Sequence, residues 1–279
     1  MKKTNVKNIK KTTKQLPLAI GSFDIIHKGH WNLLKKVIGK EFNVLLIINS
    51  PKTNTYFNTT EQRINNLETL NPNNIYVFDV KKNNYSDKDF INKVLKVINP
   101  SQIIVGSNFR FGKNANGAID QLIKDFNVLV VDAKKYRTKD IKDLYLHAHV
   151  DKANSKVILP ITYEGKIVKC KQYGRTYGFP TMNLIFTDKN LITPPTGIYA
   201  SLVYLGNKVY KGATYVNKTN DKTLIETNAI KKILPYNLYG RTIKVRLLKY
   251  VKPTEKIKHG DQKNYVASMV KLVEKFFTL

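Results

Sequence analysis

The sequence predicts an α/β plus β protein: an N-terminal Rossmann-like parallel-sheet domain, then a small antiparallel β-barrel domain with a C-terminal helix. Three observations carry this. The chain has 279 residues, more than the roughly 100–200 of a usual single domain. Its first half alternates short β-branched runs with amphipathic stretches, the pattern of a parallel sheet covered by helices. Its second half consists of short runs of alternating polarity separated by turn residues, the pattern of an antiparallel sheet or small barrel. The change of pattern sets a boundary near residue 155, giving domains over 1–155 and 156–279.

In chain order, the predicted strands of the first domain are LPLAI, NVLLIIN, NIYVFDV, QIIVGSN and VLVVDA, from Leu16 to about Ala133. A helix follows the first strand, and a second begins at TTEQRINNLETL, where Thr59 and Gln62 have capping-box spacing. SDKDFINKVLKVIN and NGAIDQLIKDFN supply two more, each returning directly to a strand as a right-handed crossover requires. A helical, Lys-rich segment from about Thr138 to Lys156 leads into the second domain. There GKIVKCKQ, GIYASLVYLG, KVYKGATYV, KTLIETN and RTIKVRLLKY read as strands. The chain closes on DQKNYVASMVKLVEKFF, which puts Tyr265, Met269, Leu272, Val273 and Phe276 on one helical face.

Hydrophobic residues make up 42% and charged residues 24% of the chain, a globular balance. No apolar run approaches the roughly 18 residues that span a bilayer, and the basic start, MKKTNVKNIKKTTKQ, has no apolar stretch to serve as a secretory leader. A cytoplasmic protein without a membrane partner is the expectation. Cys170 is the sole cysteine, which rules out an internal disulfide and any multi-cysteine metal site; it reads as a packing residue. The net charge of +28 would attract nucleic acid, anionic lipid or phosphorylated small molecules alike. The lysines are scattered and form no stripe interleaved with aromatics, so the charge reads as background composition and nucleic acid is not the expected partner. The oligomeric state is not legible.

The most informative stretch is LPLAIGSFDIIHKGHWNLLKK, a strand leading through a glycine-containing loop into a helix. A helix N-terminus presents unpaired N–H groups and partial positive charge, so such a turn suits a phosphate. His27 and His30, three residues apart at that mouth, suit hydrogen bonding to a polyphosphate as charge builds in a transition state. GSFDIIHKGH resembles the GxFDxxHxGH signature of the nucleotidyltransferase superfamily. The resemblance implies in-line attack on an α-phosphate with loss of pyrophosphate, His27 and His30 stabilising the phosphates, and Gly21, Phe23, Asp24 and Gly29 shaping a nucleotide-binding loop. Past the fourth predicted strand, where an open parallel sheet forms its ligand crevice, IIVGSNFRFGKNANG is similar to the VGxDFRFG segment of bacterial FAD synthetases. That implies a flavin acceptor met by Asn108, Phe109, Arg110 and Phe111. The alternative reading makes both phenylalanines core and Arg110 a surface charge.

In the second half, QYGRTYGFPTMNL resembles the GRxLGFPTAN motif of riboflavin kinases. The resemblance implies a loop over ATP phosphates built on Gly174, Arg175, Gly178 and Pro180, with Thr181 and Asn183 as oxygen ligands of Mg²⁺, an ion that takes few protein ligands. LIETNAI puts Glu226 where the family has the residue that accepts the proton of the riboflavin 5′-hydroxyl.

Together these segments resemble the bacterial bifunctional riboflavin kinase/FAD synthetase family over nearly the whole chain. They imply riboflavin plus ATP to FMN in the C-terminal domain, then FMN plus ATP to FAD and pyrophosphate in the N-terminal one, each with Mg²⁺. The chain departs from the family in three places. YRTKDIK, from Tyr136 to Lys142, stands for the nucleotide-binding ISSTxIR segment, with Thr138 and Lys142 as partial substitutes. GATYVNKTND replaces a GxxPTF segment, and Asn228 stands where histidine is usual. The departures leave two alternatives open, a riboflavin kinase with a degenerate adenylyltransferase domain and a basic nucleic-acid-binding protein.

Overall fold

The computed structural model describes residues 2–5, 14–50, 55–132, 136–170, 178–231, 238–254 and 261–278. The chain divides into two compact units, Met1–Thr138 and Lys139–Leu279.

The first unit is built on a six-stranded sheet of β1 (Lys2–Asn5), β2 (Leu18–Gly21), β3 (Asn43–Ile48), β4 (Asn74–Asp79), β5 (Ile103–Gly106) and β6 (Val128–Val131). Its order is β1-β4-β3-β2-β5-β6, and every neighbouring pair is parallel. Five of these strands are the predicted ones. The sixth, β1, lies in the basic N-terminal arm, where the sequence suggested no element. Lys2–Asn5 pairs with Asn74–Val77 at the sheet edge, a position that backbone pairing sustains without an apolar run. Central β3 reads as a continuous apolar run because both its faces are covered: Val44, Leu45 and Leu46 are wholly buried.

Helices α1 (Lys28–Leu34), α2 (Thr60–Glu68), α3 (Val80–Asn83), α4 (Asp87–Phe90), α5 (Lys96–Ile98) and α6 (Ile119–Ile123) run between these strands. The capping box of α2 forms as its spacing predicts, Gln62 N donating to Thr59 Oγ1 at 3.3 Å and Thr59 N to Gln62 Oε1 at 2.9 Å. The predicted third helix is not one α-helix, because a π-helical turn, Ile91–Leu95, separates α4 from α5. The sheet order reverses between β2 and β5, and the crevice beyond their carboxyl ends is where open α/β sheets bind ligands.

The second unit begins with α7 (Thr138–Leu146, whose first residue closes the first unit) and α8 (Val150–Asn154). A six-stranded antiparallel sheet follows, made of β7 (Tyr163–Lys166), β8 (Thr181–Phe186), β9 (Gly197–Leu205), β10 (Lys208–Lys218), β11 (Thr223–Ala229) and β12 (Thr242–Lys252) in the order β7-β12-β9-β10-β11-β8. The sheet is nearly closed: past β7, Val168 N donates to Asn183 O of β8 at 2.9 Å. Its inner face holds a hydroxyl chain, Ser201 Oγ to Thr214 Oγ1 at 2.7 Å and Thr214 Oγ1 to Thr227 Oγ1 at 2.9 Å, all fully buried. Mutual bonding makes that burial tolerable.

Helix α9 (Gln262–Phe276) packs on the outer face. Val273, with Met269 and Phe276 beside it, meets Ile198, Ala200 and Ala213. Leu272, predicted to share that face, is 39% exposed, because the contact stripe is narrower than the apolar one. Among the described residues no helix is long and apolar enough to cross a membrane.

Candidate active sites

At the carboxyl end of β2 the chain enters α1 through the His27–His30 turn. His27 is the N-cap of α1: its Nδ1 accepts from His30 N at 3.2 Å. His30 Nδ1 bonds to the carbonyl oxygen of Ile25 at 2.7 Å, so it must carry the proton. The two contacts fix opposite tautomers. Neutral His27 holds its proton on Nε2 as a free donor, whereas neutral His30 presents a lone pair at Nε2. The rings stack with centroids 3.9 Å apart. Burial pushes His27 down to about 3, helped by the neighbouring His30, and burial pushes His30 down to about 4. Both are neutral at pH 7.

The surrounding loop is fitted tightly. Phe23, at φ 42°, turns its ring edge-on to His30 at 5.2 Å. A Cβ on Gly21 would lie 3.0 Å from that phenyl ring, and one on Gly29 would lie 3.0 Å from both the His27 ring and the Tyr136 carbonyl oxygen.

Asp24 is 4% exposed and faces inward. Its carboxylate accepts from Phe57 N and Asn58 N at 3.0 Å each and pairs with Arg63 of α2 at 3.3 Å. Asn58 Nδ2 donates to the Asp24 carbonyl, while Arg63 Nε donates to Asn58 O at 2.9 Å. Asp24 thus anchors the Thr55–Asn58 segment beside the histidine turn. Arg63, Phe57 and Asn58 are members of the site that sequence reasoning missed. Arg63 looked like an ordinary helical charge, and only its buried ion pair distinguishes it.

After β5, Phe109 N closes a turn on Gly106 O at 2.9 Å. Asn108 and Arg110 are exposed, Phe109 is half-buried, and Phe111 is 5% exposed. Phe111 belongs to the core, its ring 5.3 Å from that of Phe90, so the expectation that both phenylalanines flank a ligand ring holds at most for Phe109. Gly112, at φ 73°, packs against Asp87 so closely that a Cβ would lie 2.7 Å from Asp87 N. Thr138 opens α7 and Lys142 lies one turn on, on opposite sides of the division between the units.

In the second unit Thr181 and Asn183 lie on β8, a strand the sequence reading did not recognise because it took the whole motif as loop. The signal was present: buried Met182 and Leu184 alternate with Thr181 and Asn183, period two. Asn183 stands directly across from Glu226 of β11, and Glu226 across from Tyr215 of β10. All three share the outer face, beside α9. Asn183 is 4% exposed, and its Oδ1 has no hydrogen-bond partner. Burial raises the Glu226 carboxyl above its ordinary value. Asn228, across from Thr181, donates from Nδ2 to Pro180 O at 3.0 Å. Gly178 has φ 84°, the left-handed backbone that favours glycine. Cys170, expected to be a packing residue, is half-buried with its thiol beside Asn183. Gly174 and Arg175 lie outside the described residues.

Two family models match, FAD synthetase over residues 9–144 and riboflavin kinase over residues 157–263. The chain is 34% identical to a trifunctional protein RibF/MnmA of Mycoplasmoides gallisepticum, covering 90% of this chain and 38% of that one. It therefore spans well under half of that relative's length. Bifunctional riboflavin kinase/FMN adenylyltransferases of Mycoplasma pneumoniae and Bacillus subtilis are 26% and 25% identical, with 87% and 89% of this chain covering 90% and 88% of theirs. A crystal structure titled as a macrolide-efflux protein of Streptococcus pneumoniae superposes with a TM-score of 0.81 at 24% identity, over 97% of this chain and 96% of that one. That likeness bears on the fold alone.

Proposed function

The chain belongs to the family of bifunctional riboflavin kinase/FMN adenylyltransferases, and on that premise we propose that it phosphorylates riboflavin in its second unit and adenylylates FMN in its first. The observation that carries the two-site reading is Asn183 Oδ1. A buried amide oxygen without a partner is costly, and this one faces a desolvated glutamate across one strand pair.

At the second site, Thr181 and Asn183 offer the hard oxygen donors that Mg²⁺ prefers, and the unpartnered Asn183 Oδ1 fits that role. When bound, the ion would neutralise charge on the ATP phosphates. Glu226 takes the proton of the riboflavin 5′-hydroxyl as that oxygen attacks the γ-phosphorus, and its raised affinity for a proton favours the transfer. Gly178 and Pro180, with Gly174 and Arg175, form the phosphate loop.

At the first site, an FMN phosphate oxygen attacks the α-phosphorus of ATP in line and pyrophosphate leaves. The protein's part is position and charge stabilisation. His27 Nε2–H donates to the phosphates in its neutral form. His30 presents a lone pair and donates from Nε2 only after taking a proton, which an approaching anionic phosphate favours. Gly21, Phe23 and Gly29 keep the loop close, and Asp24 holds its supporting segment. Asn108, Phe109 and Arg110 meet the flavin nucleotide, with Phe109 as the stacking ring. Thr138 and Lys142 supply the remaining phosphate contacts. A cytoplasmic setting suits both reactions.

The test is to incubate the purified chain with ATP and Mg²⁺, add riboflavin or FMN, and separate the flavins by chromatography. FMN and then FAD from riboflavin, with FAD also from supplied FMN, is the expected result. Product that stops at FMN would mean that the YRTKDIK departure marks a lost adenylyltransferase.

A further inference from the structure

We propose that Cys170 is a modification site of the second unit. Capping its thiol by exchange with a low-molecular-weight disulfide blocks riboflavin phosphorylation and leaves adenylyl transfer intact. The inference rests on the kinase reading of that unit.

The backbone puts the thiol there. Val168 N donates to Asn183 O at 2.9 Å, which ties the segment leading to Cys170 onto β8 at the residue assigned to the metal. Two residues on, the Cys170 side chain is in hydrogen-bonding contact with Asn183 and within electrostatic reach of Glu226 and Lys222. It is half-buried, so a small reagent reaches it, yet anything attached to sulfur intrudes on a site whose Asn183 Oδ1 is buried and awaiting a partner. The transfer chemistry itself makes no use of the sulfur.

Exchange balances simply. The Cys170 thiolate attacks one sulfur of the reagent, a new S–S bond forms as the old one breaks, and the second reagent sulfur departs as a thiolate. The thiol proton goes to water, Cys170 is oxidised to the disulfide level, and the departing sulfur is reduced. Burial raises the thiol, as does Glu226, whereas the Asn183 contact and Lys222 favour the thiolate. Burial prevails, so exchange is slow at neutral pH and accelerates as pH rises.

The experiment treats the full chain with 5,5′-dithiobis(2-nitrobenzoate). As Cys170 is the sole cysteine, one equivalent of coloured thiolate is released per chain. The expected result is an at least tenfold (~10-fold) loss of FMN formation, with FAD formation from supplied FMN retained. Dithiothreitol should restore FMN formation, and ATP with Mg²⁺ should slow the labelling. Cys170→Ala should form FMN with or without the reagent. A fully capped chain with undiminished FMN formation, a chain that releases no coloured thiolate, or equal inhibition of Cys170→Ala would each overturn the inference. Reversal by dithiothreitol tests it without any variant. A chain that forms no FMN before treatment instead overturns the kinase reading beneath it.

Discussion

Two residues convert the proposed chemistry into separable measurements. Glu226 is a carboxylate whose affinity for a proton is raised by burial. It works as a base only when ionised, so riboflavin phosphorylation should fall as pH drops through that raised value, above the ordinary carboxylate range of about 4. Glu226→Gln should lower FMN formation by roughly 10²–10⁴-fold and remove that acid limb, while FAD formation from supplied FMN stays unchanged; loss of both activities in folded protein would refute separate sites. The histidine pair makes a prediction about stability. Both histidines are pushed down to about 3 and 4 in the folded state, against about 6.5 when unfolded. The unfolded chain therefore binds more protons below pH 6.5, and stability is full above that pH and is lost as pH falls toward 4. Denaturant midpoints measured across this window should fall in the native protein and fall less in His27→Asn, which keeps an N-cap oxygen without a titrating ring.

At the scale of elements, the histidine turn depends on a neighbour that does no chemistry. Arg63 of α2 is the buried partner of Asp24, and together they hold the Thr55–Asn58 segment. Removing one member of such a pair strands the other charge, so Arg63→Met should cost the first unit about 3–5 kcal/mol in denaturant unfolding, with FAD formation lost in proportion. A cost near zero would mean that solvent replaces the arginine freely. Both ends of this clamp were in plain sight in the sequence, yet nothing in the spacing of Asp24 and Arg63 links them; only the fold does. The same limit explains what else was and was not legible. The five strands of the first sheet follow from apolar runs, and the α2 capping box from a local spacing. By contrast β1 has no apolar signature, since an edge strand needs only its backbone, and β8 was hidden inside a motif whose chemistry drew attention away from its alternation. The histidine turn was legible as a phosphate site. The opposite tautomers of its two rings were not, because they are set by a carbonyl five residues away and by a helix N–H.

For the whole molecule, the open issue is where one working unit ends and the next begins. The change of sequence pattern puts the boundary near residue 155, and the riboflavin kinase family model begins at 157. The compact units, however, divide between Thr138 and Lys139, which gives nearly all of α7 and all of α8 to the second one. The packing gives that division a physical basis. Asn154 Nδ2 donates to Leu247 O of β12 at 2.7 Å, and Ile141, Tyr145, Val150 and Ala153 are buried. The Tyr145 hydroxyl lies within electrostatic reach of Arg246, Tyr163 and Tyr199 of the sheet. A large apolar side chain withdrawn from water contributes about 1.5–3 kcal/mol, so the two helices represent several kcal/mol in a domain whose total stability is about 5–15 kcal/mol. A piece covering residues 139–279 should therefore fold and form FMN from riboflavin. One covering residues 157–279 should melt at a markedly lower temperature, or fail to fold, although it contains Thr181, Asn183 and Glu226. Thermal unfolding of the two pieces, read beside their FMN formation, decides the matter. Equal melting temperatures would make α7 and α8 a mere connection, whereas the expected gap would make them part of the scaffold on which the β8–β11 strand pair is held.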